Sequence, residues 1–561
     1  MYNLCRVFYA NRLASQLATR PESNLMRLIR LSLIVVLLTA CARATSTGVQ
    51  LNAPTSAAPM TLTYGLTLVP TGIDPHLNAS AELGIPLTSV YDTLVYQDPA
   101  THTFVAGLAD KWDLSPDGLT YTFHLRSGVK FHDQSDFDAY AVCVNLERIA
   151  NPDNKSQKAA GMLGPGGNFA SCAAPEALTA VVNLQQPYAP LLDSLSQVYF
   201  GMASPTALEK WGNADYQFHQ VGTGPFKFVE YIPGDHLTLT RNPAYTWGPS
   251  LFANHGPAYL DTISFKFYED PATRALALES GAVQIIGEVL PQDAKRLEKD
   301  SRFTLYATPI PGQPLQIFLN TQRAPTDDPT VRRALLLAVD RPGLVQSVFG
   351  GYSPIATRAL AAITFGYSAA NAAPAYDSKQ AVQLLADAGW KDSDGDGTLD
   401  KDGHDLTIDF VFGPFGLMPQ AAQLVEANWK TLGVKVNSVQ AANFNALRDA
   451  QAAGEYNAIA LNFFGSDPDL LRAWFSSTGF SNWSKVHNPD LDQSLTEGFL
   501  ATDAAQRLKS YADAQAIINE QTLIIPLRDY VNLNLASAKV SGLRYNAQGW
   551  WPWLVDVKIA P

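Results

Sequence analysis

Asp392, Asp394 and Asp396, with Gly397 behind them, stand at positions 1, 3, 5 and 6 of an EF-hand-type calcium loop, and Asp400 falls at position 9. Alternate carboxylates on a tight turn can converge on one hard cation. Position 12, where a bidentate glutamate normally completes the shell, holds Gly403, so calcium bound here would lack two oxygens. The same residues also make an ordinary polar turn, because Asp and Gly favour turns. Apart from this possible calcium, no cofactor is expected. Of the four cysteines, Cys143 and Cys172 are the pair left once the leader and its flanking Cys41 are set aside. In an oxidising compartment such a pair forms a disulfide, the alternative being two buried thiols. Enzyme motifs are missing: there is no G-x-S-x-G elbow, no Walker A loop and no H-E-x-x-H. Gly222-Thr223-Gly224 opens like a dinucleotide fingerprint, but Lys227 occupies the third glycine's place. His124 and His132 flank a turn where they could meet, although unpaired histidines are the commoner case. Paired carboxylates leave no fixed signature, so missing motifs alone do not exclude hydrolysis.

The first forty residues speak to compartment. Met26, Arg27 and Arg30 begin a short positive stretch, Leu31 to Leu38 is apolar, and Leu38-Thr39-Ala40-Cys41 follows. This is the order of a secretory signal, and the apolar run is far short of the ~20 residues a spanning helix needs. The tetrad resembles a bacterial lipobox, which predicts cleavage before Cys41 and a lipid on it, with Met26 as the true start. Residues 42–59 are small, polar and proline-bearing, and read as a tether. The net charge of −12 becomes about −16 once residues 1–40 are gone, since five arginines and one glutamate leave with them. With no basic block, a nucleic-acid partner is not expected.

The 561 residues exceed one compact core, so two or three domains are expected. Alternation predicts strands at Met60–Leu68, Thr120–Leu125, Val129–His132, Leu237–Thr240, Ile263–Tyr268, Leu406–Phe412, Val434–Val439 and Leu523–Leu527. Helical spacing predicts Ala139–Ile149, Pro271–Glu279, Val331–Val339, Lys379–Ala388, Gln420–Leu432 and Ala504–Glu520. Strands and helices interleave, giving an α/β class with mixed sheets.

Several strings, in order, carry a resemblance. They are IDPH (73–76), VYDTLVYQDP (90–99), LADKWDLSPDGLTYTFHLRSGVKFHD (108–133), VGTGPFKFVEY (221–231), RNPAYTWG (241–248), FLNTQRAPTDDPTVRRALLLAVDR (318–341) and YDSKQAVQLLADAGW (376–390). Together they resemble the extracellular solute-binding protein family 5, the peptide, nickel and oligopeptide binders of ABC importers. The resemblance implies a two-lobed periplasmic-binding-protein-like fold with an inserted subdomain and a ligand cleft that closes by a hinge. Mapped by motif order, lobe I takes 60–80, 222–312 and 526–561, the insertion 81–221, and lobe II 313–525.

The resemblance also implies ligand contacts. The places that peptide binders give to a carboxylate-binding arginine and an amine-binding aspartate fall near Phe412 and Phe464. Asp467 either substitutes for that aspartate or caps the helix entered at Leu470. Phe412, Phe415, Phe463 and Phe464 make an aromatic lobe II wall, or alternate into the core. Asn78 and Ser80 are the polar candidates from lobe I. An aromatic wall without charged anchors implies weak binding of free dipeptides and suits a less charged, peptide-like or oligosaccharide-like solute. The expected function is a monomeric, extracytoplasmic, lipid-anchored solute-binding protein serving ABC importer permease subunits, without catalysis. A lipid-anchored hydrolase, or a sensor or peptide chaperone on the same fold, are the alternatives.

Overall fold

In TLTYGL (61–66) the alternate residues Leu62, Tyr64 and Leu66 are buried, as a half-apolar strand requires. The strand pairs in parallel with Thr262–Phe267 on one side and Ile285–Ile286 on the other, at the centre of a seven-stranded sheet. The sheet runs in the order Phe303–Pro309, Val531–Ser537, Ile285–Ile286, Thr61–Leu66, Thr262–Phe267, His236–Arg241, Phe226–Ile232. This computed structural model describes residues 59–67 and 72–560. The signal sequence, Cys41 and nearly all of the tether lie outside the described residues.

A second, five-stranded sheet has the order Lys435–Gln440, Thr407–Phe412, Ala458–Leu461, Leu315–Leu319, Ile524–Arg528. Each sheet has its own apolar core. Leu62 through Val557 form one, which also takes in the residues of the insertion. Leu315 through Leu527 form another, centred on Phe410, Trp429 and Leu335. The first core also takes in Phe499 of lobe II, which packs on Tyr188 of the insertion.

The chain crosses between these sheets twice. Phe303–Pro309 pairs antiparallel with Val531–Ser537 in the first sheet, and Leu315–Leu319 with Ile524–Arg528 in the second. The connections 310–314 and 529–530 therefore run side by side, joined by Ile310 N–H donating to the Tyr530 carbonyl at 3.0 Å. The second crossover lies beyond the expected 525/526 boundary, because Ile524–Arg528 belongs wholly to the five-stranded sheet.

The insertion carries a four-stranded antiparallel sheet, Ala109–Leu114, Thr120–Leu125, Thr179–Leu184, Phe169–Glu176. Helix Ala139–Ala150 starts at Asp138, whose carboxylate accepts from Ala141 N–H at 2.9 Å. Cys143 on that helix is bonded to Cys172, with their Cα atoms 5.1 Å apart. Cys172 lies on strand Phe169–Glu176. Val129–His132 is not a regular strand: Lys130 makes a single bridge to Asp136, and the chain turns at 132–134. His124 and His132 do not meet. His124 pairs with Asp113 at 2.9 Å, while His132 bonds the Gly224 carbonyl at 2.9 Å.

Candidate ligand cleft

A cavity of about 660 Å³ lies between the two sheets, beside the crossovers. Lobe II contributes a wall of rings: Phe349, Phe415, Phe444, Phe463 and Phe464. The opposite wall, from lobe I and the start of the insertion, sets Glu82, Glu269, Glu288 and Asn532 among apolar residues such as Val289 and Leu533, with Trp550 at its edge. Arg528, at the end of the last lobe II strand, and Tyr530, in the crossover, sit between them.

Arg528 is only 7% exposed. Its guanidinium is stacked between Phe349 and Tyr530, 4.0 and 4.3 Å from their ring centres. One amino group donates to Ser353 Oγ at 3.0 Å, and Nε has no partner. Burial lowers its pKa to about 10.

Glu288 is placed by an unusual turn. Arg274 donates to the carbonyls of Tyr268 (2.6 Å), Gly287 (3.0 Å) and Glu288 (3.0 Å), holding the chain as it leaves Ile285–Ile286. Glu288 adopts φ 47°, a left-handed conformation that costs a non-glycine residue about 1 kcal/mol or more and often marks a functional position. Burial pushes its carboxyl up to about 7, helped by the neighbouring Glu82, against the charge of Arg274 and a hydrogen bond from Thr67.

Phe464 packs edge-on against Tyr530 (4.9 Å) and Trp550 (5.1 Å), so one lobe II ring touches both the crossover and lobe I. Trp550 Nε1 and Asn462 Nδ2, both on the cavity wall, have no partner within the protein. Beyond Phe464 a second chamber of about 830 Å³ opens between the insertion and lobe II, ringed by Tyr188, Trp474, Phe480 and Trp551. Along it the lobes touch directly. Ser466 of lobe II donates to Asp193 of the insertion and accepts from Gln548 of lobe I. Asp193 is pushed up to about 7 by burial first and the nearby Asp467 second.

Of the expected ligand residues, Phe415 and Phe464 line the cleft and are 48% and 40% exposed. Phe412 does not: it is buried against Phe410, which in turn packs on Trp429, because residues 408, 410 and 412 share the core face of their strand. Asn78 is turned back on its own loop, its Oδ1 accepting from Asp74 N–H at 3.0 Å. Ser80 stands behind the wall and donates to Glu82 Oε2 at 2.6 Å. Asp467 faces Arg507, with which it pairs at 2.6 Å, and accepts from Asp469 N–H at 2.8 Å. It lines the second chamber, outside the main cleft.

Asp392, Asp394 and Asp396 bring carboxylate oxygens within 4.8 Å of one another on an exposed loop. Asp400 is not with them, its carboxylate being held by Ser393 through N–H (2.8 Å) and Oγ (2.7 Å). Asp392 already accepts from Gly395 and Gly397 N–H, and Asp396 from Thr398 N–H, as in a polar turn.

Sequence reasoning missed Glu82, Glu288, Arg274 and Arg528. Only Arg528 left a local trace, a cation inside the apolar strand IIPLR.

The model described as "Bacterial extracellular solute-binding proteins, family 5 Middle" matches residues 103–483, well over half of the chain. The chain belongs to this family. These are extracytoplasmic binding proteins that deliver solutes to ABC importers, and among the described residues no helix is long and apolar enough to cross a membrane. The glutathione-binding protein GsiB of Shigella flexneri serotype 5b is 28% identical over 463 residues, 79% of this chain and 83% of GsiB. GsiB of Salmonella typhimurium is 29% identical over 462 residues, with the same shares. Among solved structures, NikA from Brucella suis in complex with Fe(III)-EDTA superposes with a TM-score of 0.79 at 25% identity, covering 89% of this chain and all of NikA. The oligopeptide-binding protein AppA from Bacillus subtilis, in complex with a nonapeptide, gives 0.71 at 22% identity, covering 90% of this chain and 100% of AppA.

Proposed function

We propose that this protein is a lipid-anchored receptor that captures a small peptide-like solute in the interlobe cleft and hands it to an ABC permease. The observation that carries the reading is Arg528. A guanidinium buried on a cavity wall, with Nε unpartnered and no ion pair to a carboxylate among the described residues, is costly until an anion reaches it. A ligand carboxylate meets that need, and the rings of lobe II accept the uncharged remainder by stacking. The case against free peptides rested on both charged anchors being gone. Arg528, and the carboxylates of lobe I, supply charge from other positions. A cavity of about 660 Å³ suits a di- or tripeptide, and the GsiB relatives are named for the tripeptide glutathione. The rings of the second chamber favour a second reading, in which an oligosaccharide-like solute stacks on Trp474, Phe480 and Trp551.

Calorimetry of residues 42–561 with glutathione, trialanine, cellotriose and Fe(III)-EDTA tests this. Binding of a peptide at micromolar strength or better is expected, weakened about tenfold or more in Arg528→Gln. Binding of cellotriose alone would replace the first reading by the second. For the anchor, mass spectrometry of membrane-extracted protein is expected to find a diacylated peptide beginning at Cys41. An intact peptide spanning Leu38 to Ala42 in the mature protein rules that out.

A further inference from the structure

Three acids line the cleft opposite the rings: Glu269 is exposed, while Glu82 and Glu288 are half-buried, with Lys158 the cation nearest Glu82. Glu82 and Glu288 both line the main cavity, and both also line a small recess behind it, together with Tyr64, Gly287, Asn534 and Trp550. Neither forms an ion pair among the described residues. Arg274, beside Glu288, spends its donors on three backbone carbonyls, and Lys158 lies over the Tyr199 ring, 4.2 Å from its centre. Asn534, 1% exposed, lines this recess and its Nδ2 has no partner, and Trp550 Nε1 is likewise unpartnered. Glu82, Glu288 and Trp550, with its idle Nε1, thus meet where the main cavity joins this recess, which itself has room for about one water.

We infer that Glu82 of the insertion and Glu288 of lobe I form a subsite for a cationic group, the ammonium end of the captured solute, whose first carbonyl accepts from Trp550. This rests on the peptide-like reading above and adds its polarity. The amine is held by these two acids and the carboxylate by Arg528 at the end of the lobe II sheet. Two neighbouring carboxylates partly screened from water repel each other and lose some hydration. An ammonium between them reverses both penalties, and hydrogen bonds to charged groups are the stronger kind. The turn holding Glu288 at φ 47° keeps its carboxylate aimed before the solute arrives.

The groups facing Glu288 are Glu82, Arg274, Thr67, Tyr64 and Tyr530, of which Glu82 and Arg274 are the other charges. Since the free carboxyl titrates near 7, protons compete with a cationic ligand below neutrality. Affinity for an ammonium should therefore fall as pH drops from 8 to 6.

Four probes isolate the charge: trialanine, N-acetyl-trialanine, trialaninamide and N-acetyl-trialaninamide, titrated by calorimetry at pH 8 and pH 6. At pH 8 each free-amine peptide is expected to bind at least about tenfold tighter than its acetylated counterpart, narrowing several-fold at pH 6. In Glu288→Gln and Glu82→Gln the amine advantage should shrink, and Glu288→Gln should also lose the pH dependence. Equal binding of the acetylated and free peptides, or an unchanged amine advantage in both variants, overturns the subsite and leaves the peptide reading standing. Should no peptide bind, that reading fails. The subsite is then judged by spermidine, whose failure to bind the wild type overturns it and whose binding, lost in Glu288→Gln, upholds it.

Discussion

Phe412 and Phe415 lie three residues apart and do different work. Phe412 is 7% exposed in the lobe II core, whereas Phe415 is 48% exposed on the cleft wall. Phe412→Ala should cost about 3–5 kcal/mol in urea unfolding, the usual price of an emptied aromatic core site. Phe415→Ala should stay within about 0.5 kcal/mol of wild type, as surface changes do, yet weaken solute binding in calorimetry. The reverse pattern would mean that the strand faces are misassigned. Period-2 alternation at Ile408, Phe410 and Phe412 already pointed Phe412 inward, so this much was readable in the sequence. Glu82, Glu288 and Arg528 were not. They come from three distant segments, and only the folded sheets bring them to one cavity.

Helices were the most legible elements, since an apolar stripe at helical spacing is local information. Ala504–Glu520 was bounded as it is found, and Ala139–Ala150 differs from its expected end by one residue. Strand Phe169–Glu176 was hidden because it is mostly exposed, so it lacks the apolar alternation that betrays a strand. It is held by pairing with Thr179–Leu184 and by its bond to Cys143. Reducing that bond, which joins residues 29 apart in sequence, should lower stability by roughly 3 kcal/mol in the loop-entropy model. Cys143→Ser with Cys172→Ser should show this as an earlier urea transition. The first crossover offers a sharper test. Gly312 has φ 127°, and a Cβ there would lie 2.5 Å from the Phe463 carbonyl oxygen and 2.7 Å from Phe464 Cα. Gly312→Ala should cost about 1–3 kcal/mol and, by displacing the Phe464 wall, weaken solute binding as well. Unchanged stability and affinity would mean that the crossover is slack.

The two lobes were legible as an order of family motifs, while the contacts that close them were not, because Asp193, Ser466 and Gln548 meet only after the insertion folds against lobe II. That contact titrates. In the closed protein Asp193 is pushed up from 3.8 to about 7, and opening returns it to water and toward its ordinary value. The closed form therefore binds the extra proton between about pH 4 and pH 7. Without solute, closure is favoured at the acid end and weakens by up to about 1.4 kcal/mol per pH unit as pH rises through that window, with no further loss above it. Small-angle scattering of the solute-free protein should show expansion from pH 5 to pH 8. Asp193→Asn should reduce that change, and an identical profile in this variant would exclude Asp193 as a source. The crossovers set the form such an opening takes. Two tethers lying abreast and bonded to each other let one lobe fold toward the other like a page but resist its turning like a knob, since torsion would shear the Ile310–Tyr530 bond. Occupancy is thus written as a span between the lobe faces, and a permease needs only a caliper to read it.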